Sequence, residues 1–529
     1  MEKVQYEVNG VQYGSKSSVV NFQLEAKPFN EIKIRSCFLT KSELGIDQFR
    51  EIVNKAGGLI IMLPTKNLSQ LSSESFENLL LLEQTMLTDE VSIPVYFSNY
   101  NEEVEKIITE ISQSSRDSKQ KDSALMEMLS KISQNGYQIT VSGAAHSPKK
   151  DSKIPIIQGE LIPFKPTNAK SSQSEGLPTI IVTTALKGFG VTYNGLNDWS
   201  SLNIDATIFL ALIEQFSQLY NQASSSAKYR IVFMLHESGS LLNFQGVKKF
   251  LDVNLEETSI QNPEFVLCLD SIAETIDGIY MHVSKPPSKI GPIARFFEIL
   301  TKKVDAHGAN SFVEVVQKKI NLADTFNKWA HEKFSMRRMS AFTLSSVKSH
   351  SSPLRTTIFS EHSTINSESG ETQLSPELKK NIQTKTKTLA EALATYIFQR
   401  NDDEDVNEIF PATITSLQHF QSPLSMLKTN NIKSTFEKYL KNVKVIMEKP
   451  DIREPDFMFF DGEEAVLNVY KVKPAVFDLF LTSVLVCYLF IIYFTIIHFP
   501  KIYSVASKLT VPATLTSSNG GINPKMRKD

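Results

Sequence analysis

The chain has 529 residues, of which 41% are hydrophobic and 22% are charged, and its net charge is −2. This balance gives no bulk attraction for nucleic acid or anionic lipid, so we expect no nucleic-acid partner. The three cysteines are Cys37, Cys268 and Cys487, and none has CxxC spacing. They exclude a disulfide framework and a thiolate zinc site, and they leave at most one bridge, between Cys37 and Cys268.

Short, β-branched apolar runs recur along the chain and predict strands that are covered on both faces. They are Gly57–Leu63, Ile93–Phe97, Thr179–Thr184, Arg230–Leu235, Phe265–Leu269, Ile279–Val283 and Ala341–Leu344. Helical periodicity lies between them, at Ala206–Gln222, Gln245–Val253, Ile293–Val304, Leu322–Phe334 and Lys380–Gln399. Strands alternating with helices predict an α/β fold with a mostly parallel sheet and helices on both faces.

Polar stretches divide this pattern. Ser112–Ser123 is typical of a disordered loop, and Phe164–Gly176 is typical of a linker. The acidic run Asn401–Glu408 ends the second α/β region. We therefore predict an N-terminal α/β region over 1–165, a larger α/β domain over 166–400 and a mainly helical membrane-proximal segment over 401–473.

An uncharged stretch, Leu479–Ile497, predicts a transmembrane helix. Thirteen of its nineteen residues are Leu, Ile, Val or Phe. A helix of this length extends about 28 Å, close to the roughly 30 Å hydrocarbon core of a bilayer. With its flanks we place the span at 474–499 and a tail at 500–529.

Orientation is not settled by charge, because Lys471 and Lys473 before the span balance Lys501 and Lys508 after it. No apolar leader follows Met1, which by itself predicts a cytosolic, tail-anchored protein. The triplet Asn67-Leu68-Ser69 permits N-glycosylation if the domain is luminal.

Familiar catalytic motifs are incomplete. His331-Glu332 begins an HExxH pattern, but Ser335 stands where the second zinc ligand belongs. Gly188-Phe189-Gly190 begins a dinucleotide fingerprint that is broken by Tyr193. Each pattern is therefore interpreted as ordinary loop or helix.

Polar residues at successive strand ends form a more plausible site. His236-Glu237 and Asp270 end two strands next to Thr179–Leu186, and His350 or His362 follows downstream. Ligands gather at the carboxyl ends of parallel strands, so a metal site would lie here. The alternative is that these residues are polar only because the chain is leaving the core.

Several stretches carry a resemblance to a known family. They are NFQG at 243–246, FVLCLD at 265–270, HVSKPP at 282–287, KINL at 319–322, WAHEKF at 329–334, FTLS at 342–345 and YKVKPAVFDL at 470–479. The α/β part resembles the zinc-dependent aminopeptidase fold of nicastrin. The whole chain is similar to the nicalins, nicastrin-like membrane proteins of the endoplasmic reticulum. This resemblance implies a missing leader, a luminal bulk, a single span and a cytosolic tail.

The same resemblance implies a degenerate site in 166–400. The first His-x-Asp ligands of active relatives match Ala185 and Lys187, and the bridging carboxylate falls near Ser200, with Asp198 or Asp205 close by. Glu237, Asp270 and His350 match a base region and ligand positions. Two dications need more anionic or neutral ligands than this, so we expect no metal and no cofactor.

We therefore expect a non-catalytic scaffolding subunit. The resemblance implies three partners: the Nodal modulator (a large luminal protein), a small polytopic membrane protein, and the Sec translocon during multi-pass protein insertion. It also implies a link to Nodal signalling. Asp478, Ser483 and Cys487 are candidate contacts to the polytopic partner. The alternative is a membrane-anchored zinc aminopeptidase that uses Glu237, Asp270, His236 and His350.

Overall fold

The structure, a computed structural model, describes most of the chain. The described ranges are residues 2–8, 11–15, 22–63, 72–98, 100–119, 136–143, 153–163, 177–186, 204–221, 227–237, 239–254, 260, 262–275, 278–307, 312–357, 363–365, 372–374, 376–398, 429–449, 451, 456–461, 466–473 and 475–510. They belong to two compact units. The first unit comprises Met1–Thr109 and Ile139–Asn468, and the second comprises Glu110–Gln138 and Val469–Asp529.

The strands of the described residues are, in chain order, β1 Glu2–Val8, β2 Val11–Ser15, β3 Phe22–Ala26, β4 Ser36–Lys41, β5 Gly58–Met62, β6 Glu90–Val91, β7 Val95–Ser98, β8 Gly136–Ser142, β9 Ile154–Leu161, β10 Thr179–Ala185, β11 Arg230–His236, β12 Phe265–Leu269, β13 Ile279–Val283, β14 Val313–Gln317, β15 Ala341–Ser345, β16 Ser363–Ile365, β17 Thr372–Leu374, β18 Lys441–Glu448, β19 Asp456–Asp461 and β20 Val466–Val472. The α-helices are α1 Ile46–Lys55, α2 Ser73–Thr88, α3 Glu102–Lys119, α4 Ile204–Asn221, α5 Gln245–Val253, α6 Pro292–His307, α7 Ala330–Met336, α8 Pro376–Phe398, α9 Thr429–Tyr439 and α10 Ala475–Thr510.

The central sheet of the first unit has eight strands in the order β14-β13-β15-β12-β10-β11-β9-β18. Strands β11, β10, β12 and β15 run parallel to one another. Strands β13 and β14 are parallel to each other, but β13 is antiparallel to β15. Consequently the carboxyl ends of β13 and β14 lie at the opposite end of the sheet from those of the four central strands.

Both faces of this sheet are covered, which explains the continuous apolar runs. Ile180 and Val182 belong to a core with residues of α4, α6, α8 and α9, whereas Ile181 belongs to a second core with residues of α5 and α7. Successive side chains of a strand point to opposite faces, so both sets of positions must be apolar. The predicted α/β class with helices on both faces is confirmed, although the sheet is mixed.

A smaller sheet in the N-terminal region includes the order β8-β3-β4-β5-β7, with β4, β5 and β7 parallel. Leu59 and Ile61 of β5 pack with Phe49 and Ile52 of α1 and with Leu82 of α2. Two further sheets have the orders β19-β1-β2-β6 and β16-β17.

Three sequence expectations are corrected. The segment 401–473 is not mainly helical where it is described, because α9 is followed by β18, β19 and β20. The first two thirds of Ser112–Ser123 are not a loop, since α3 continues to Lys119. The helix expected from Leu322 begins only at Ala330, because Asn321 closes a turn with Asp324 instead.

The apolar C-terminal helix is confirmed, but it extends further than the predicted span. Helix α10 continues through Pro500 to Thr510, and Phe477–Leu509 is long and apolar enough to cross a membrane. At 1.5 Å per residue, these 33 residues extend about 50 Å, so one end passes beyond a hydrocarbon core of about 30 Å. The predicted domain boundaries near 165 and 400 lie outside the described residues and stay predictions.

Candidate functional site

The carboxyl ends of the central strands bring three of the singled-out positions together. Ala185 pairs with His236, and Thr184 pairs with Leu269, so Asp270 follows next to Ala185. Ala185, His236 and Asp270 line one cavity of about 40 Å³. A water molecule needs about 10–15 Å³ on this scale, so the cavity has room for only a few waters.

Asp205 also lines this cavity, and its role is structural. Its carboxylate accepts hydrogen bonds from the backbone amides of Ser271 (2.6 Å) and Ile272 (2.8 Å), which directly follow Asp270. Ser271 adopts a left-handed φ of 56°, a strained conformation for a residue with a side chain. Both oxygens of Asp205 therefore hold this turn, and neither is placed to bridge two metal ions.

The main feature of the site is an ion pair between Asp270 and Arg355. Nε and Nη2 of Arg355 donate to the two carboxylate oxygens of Asp270 at 3.2 and 2.5 Å. A third donor, Nη1, binds the backbone oxygen of His350 at 2.7 Å. The side chain of Arg355 is 3% exposed and that of Asp270 is 16% exposed. The guanidinium is planar and delocalised, which suits such a two-point contact.

Trp329 lies between two other side chains of the site. The ring of His282 stacks on it at 3.9 Å, and Cζ of Arg355 lies 3.8 Å from the Trp329 ring centroid. Two groups this close to one ring must occupy opposite faces, so the order is His282, Trp329, Arg355 and Asp270. Burial lowers the pKa of His282 to about 4, and its Nε2 contacts the backbone oxygen of Val347 at 2.9 Å.

His331, from the incomplete zinc motif, is a core histidine. Its Nδ1 contacts Oγ1 of Thr343 at 2.8 Å, and it is 1% exposed. Burial lowers its pKa to about 3, so the ring is neutral. The adjacent Glu332 accepts hydrogen bonds from the Lys328 backbone amide and the Asn327 side chain, and it lies 3.8 Å from the Lys318 ammonium. These contacts order the loop before α7.

The residues present do not fit the zinc site of an aminopeptidase fold. Among the described residues, no group of three His, Cys, Asp or Glu side chains is arranged to hold a metal ion. Ala185 offers no ligand, the oxygens of Asp205 bind backbone amides, and those of Asp270 bind a guanidinium. A dication here would have to displace Arg355 from its carboxylate.

Other predicted positions are not brought to the cavity. Glu237 follows β11 and does not line it, and His350 is an exposed loop residue that contributes its backbone oxygen. Burial is the main cause that lowers the pKa of His350, and Lys318 and Lys328 add to it. Lys187, Ser200, Asp198, His362 and the sequon residue Asn67 lie outside the described residues.

Sequence reasoning missed Arg355 and the roles of Trp329 and His282. The motifs that contain Trp329 and His282 were noticed in the sequence. Their spacing, however, does not indicate that the two rings stack on each other. Arg355 lies 85 residues after Asp270.

Cys37 and Cys268 are separate buried thiols without a bridge, and burial raises the pKa of both, to about 12 for Cys37.

The candidate membrane contacts Asp478, Ser483 and Cys487 all lie on α10. Ser483 and Cys487 are one turn apart and share a face of α10. At about 100° per residue, Asp478 is about 140° from Ser483 and about 180° from Cys487. Asp478 therefore lies on the other side, near Thr482, whose hydroxyl donates to its backbone oxygen at 2.8 Å. Asp478 would therefore contact a partner from a different side of the helix, and all three contacts stay predictions.

The chain thus combines a nicastrin-like α/β fold with one helix that is long and apolar enough to cross a membrane. Solved nicastrin of γ-secretase superposes with a TM-score of 0.51 over 89% of this chain and 98% of that chain, at 9% identity. A zinc aminopeptidase from Bacillus subtilis aligns over 78% of this chain and 86% of its own, at 12% identity and a TM-score of 0.34. No protein-family profile matches the chain.

Curated relatives cover nearly the whole sequence. The BOS complex subunit ncln of Danio rerio is 30% identical over 96% of this chain and 91% of its own length. The BOS complex subunit NCLN of Homo sapiens is 28% identical over 96% and 90%, and nicalin of Caenorhabditis elegans is 25% identical over 67% and 63%. The chain belongs to this nicalin family of membrane-complex subunits.

Proposed function

We propose that the chain is a non-catalytic scaffolding subunit of an endoplasmic reticulum membrane complex. The observation that carries this proposal is the Arg355–Asp270 ion pair at the strand ends. A guanidinium that is buried, bidentate and stacked on Trp329 neutralises the carboxylate without a metal. The site then serves to fix the loops around it, and the domain serves as a binding module.

The same loop ties the site to the N-terminal region. Thr357, two residues after Arg355, donates to the Glu83 carboxylate of α2 at 2.5 Å. Gln84 of α2 donates to the backbone oxygen of Ser351 at 3.1 Å. In this proposal the loop that carries Arg355 joins the central sheet to the N-terminal region.

The proposed complex follows the family. The domain is luminal, and its partners are the Nodal modulator, a small polytopic membrane protein and the Sec translocon during insertion of multi-pass proteins. The link to Nodal signalling would follow from that role. The polytopic partner docks on the α10 face of Ser483 and Cys487, because small and polar residues allow close helix packing in a bilayer.

Metal content and turnover test the non-catalytic assignment. We expect the full chain, purified in detergent, to contain far less than one equivalent of zinc and to release no amino acid from aminoacyl amides. Glu237→Gln and Asp270→Asn should not reduce partner recovery beyond any loss of folded protein. One equivalent of tightly bound zinc, with turnover abolished by Glu237→Gln, would establish the aminopeptidase alternative instead.

Protease protection tests the luminal assignment. In sealed microsomes, the bulk of the chain should resist added protease and Asn67 should be glycosylated, while the tail after Pro500 is digested. Digestion of the bulk would support the cytosolic tail-anchored alternative.

An anchor exchange tests the membrane contact. Replacing Leu479–Ile497 by a Leu/Ala span of equal length should keep the chain in the membrane but deplete the polytopic partner from pull-downs. A matched exchange that restores only Ser483 and Cys487 should recover it. Full recovery with the plain Leu/Ala span would assign assembly to the luminal domain alone.

A further inference from the structure

Two loops leave the same end of the central sheet side by side. They follow β13 and β14, comprise residues 284–291 and 318–328, and are called here the paired loops. Val283 and Gln317 pair at the ends of these strands, and the amide of Lys318 donates to the oxygen of Val283 at 2.9 Å. Because β13 and β14 run against the central strands, the paired loops begin at the end of the sheet opposite the carboxyl ends of those strands. The second loop then leads back to Trp329, which lies beside Arg355.

Each loop displays one large apolar side chain on a hydrogen-bonded turn. Ile290 is 99% exposed, within a turn closed by the Gly291 amide on the Ser288 oxygen at 3.1 Å. Leu322 is 84% exposed, within a turn that the Asn321 side chain fixes through Ala323 and Asp324. Single exposed apolar residues are ordinary, but these two are held out on ordered turns of neighbouring loops.

The paired loops are mainly positively charged. They contain five lysines (285, 289, 318, 319 and 328) and one acidic residue, Asp324, in a chain whose net charge is −2. Asp324 already accepts a hydrogen bond from Asn321 within its turn. Lys285, Lys289 and Lys319 are exposed, and no ion pair involves them within the described part of the chain. The local surface therefore attracts an acidic partner.

This arrangement suits a protein better than a bilayer. Peripheral membrane binding uses a continuous apolar face, as on an amphipathic helix, whereas the paired loops offer two separate points. Protein interfaces instead concentrate their affinity in a few anchor side chains that enter pockets, with a charged rim that steers association.

We propose that the paired loops are the docking surface for the large luminal partner of the complex, through an acidic surface with apolar pockets for Ile290 and Leu322. This inference rests on the proposed function, because it takes that partner as given. The surface lies wholly within the first unit and uses no residue of the Arg355 site.

Cysteine labelling of the full chain tests the surface directly. Of the native cysteines, Cys37 and Cys268 are buried and Cys487 lies in the anchor, so Ile290→Cys and Leu322→Cys each add a readily labelled thiol. Ile34→Cys is the matched control, because Ile34 is 80% exposed on a different part of the first unit. In digitonin-solubilised complex, a maleimide-polyethylene glycol should label positions 290 and 322 at least about tenfold more slowly than in the chain alone, and position 34 at an unchanged rate.

Charge reversal supplies the second measurement. Lys285→Glu, Lys289→Glu and Lys319→Glu combined should reduce recovery of the large luminal partner about tenfold while the small polytopic partner is retained. Lys379→Glu with Lys380→Glu, exposed near the start of α8, is the control and should retain both. Added salt should weaken the wild-type contact, since exposed charges are screened within about 10 Å at 0.1 M.

The outcomes separate the two proposals. Unchanged labelling at 290 and 322 in a complex that contains the luminal partner would overturn the docking surface and leave the proposed function standing. Slow labelling in partner-free proteoliposomes with phosphatidylserine, but not in pure phosphatidylcholine, would assign the loops to lipid and overturn it as well. If the wild-type chain recovers no partner, both proposals fail.

Discussion

Two groups of basic side chains in the first unit differ in burial and in ion pairing. Arg355 is almost fully buried, pairs with Asp270 through two hydrogen bonds and stacks on Trp329. Lys285, Lys289 and Lys319 are exposed on the paired loops. A desolvated charge must be satisfied within the fold, whereas a hydrated charge costs little and is available to another molecule.

At the carboxyl ends of the central strands, the buried cation stabilises the protein itself. On the paired loops, the three exposed cations face solvent. The expected effects on stability decrease from the buried arginine to the exposed lysines.

Removing the buried guanidinium should have the largest effect on stability. Arg355→Ala leaves the Asp270 carboxylate mostly buried without its cation, and we expect a loss of about 3–5 kcal/mol. Thermal and denaturant unfolding of the full chain in detergent measure this loss.

The double variant Arg355→Leu with Asp270→Leu is the control for that measurement. It removes both charges together and should be less destabilised than Arg355→Ala, because no charge is left unpaired. If Arg355→Ala unfolds at the wild-type midpoint, the ion pair does not hold the site together.

Acidification should reduce the free energy of unfolding by an intermediate amount, because two buried histidines become protonated on unfolding. The folded pKa values of His331 and His282 are about 3 and 4, below the unfolded value of about 6.5. Their contribution to stability is complete above pH 6.5 and is lost as the pH falls from there toward the folded values. At pH 5 this loss is about 2 kcal/mol for each histidine.

Removing the His331 imidazole isolates its contribution to the pH dependence of stability. His331→Gln should remove about half of the additional pH dependence between pH 7 and pH 5, measured as the difference in unfolding free energy. An unchanged slope in this variant would mean that His331 can be protonated in the folded protein.

Substitution of the exposed lysines should have the smallest effect on the stability of the fold. The combined Lys285, Lys289 and Lys319 to Glu variant should keep the wild-type unfolding midpoint, since exposed substitutions each change stability by less than about 0.5 kcal/mol. Circular dichroism on heating measures this, beside the Lys379 and Lys380 control. A large loss of stability would show that these lysines serve the fold, which would remove the contrast with Arg355.

Local sequence signals predicted the elements with strong periodicity. The strand Phe265–Leu269 and the helix Gln245–Val253 have the predicted bounds, because each is a short, continuous apolar or amphipathic run between polar residues. The prediction was wrong for β18 to β20, where charged and polar residues alternate with apolar ones in strands that are partly exposed.

The candidate site was predictable only in part. Its location at the strand ends follows from the parallel order, and the lack of a ligand at Ala185 follows from the sequence. The Arg355–Asp270 contact joins residues far apart in the chain, and no local pattern encodes it. Asp205 was considered as a metal bridge, but its two backbone hydrogen bonds assign it to the turn after Asp270.

The sequence by itself determined the apolar C-terminal helix and the α/β class, because composition and periodicity are properties of neighbouring residues. Only the tertiary structure determined which charged side chains form ion pairs and which stay exposed. Long-range packing places Arg355 against Asp270 and Trp329, and it leaves Lys285, Lys289 and Lys319 exposed on the loops after β13 and β14. A charge is satisfied inside the protein or faces solvent according to contacts that form only when distant segments fold together.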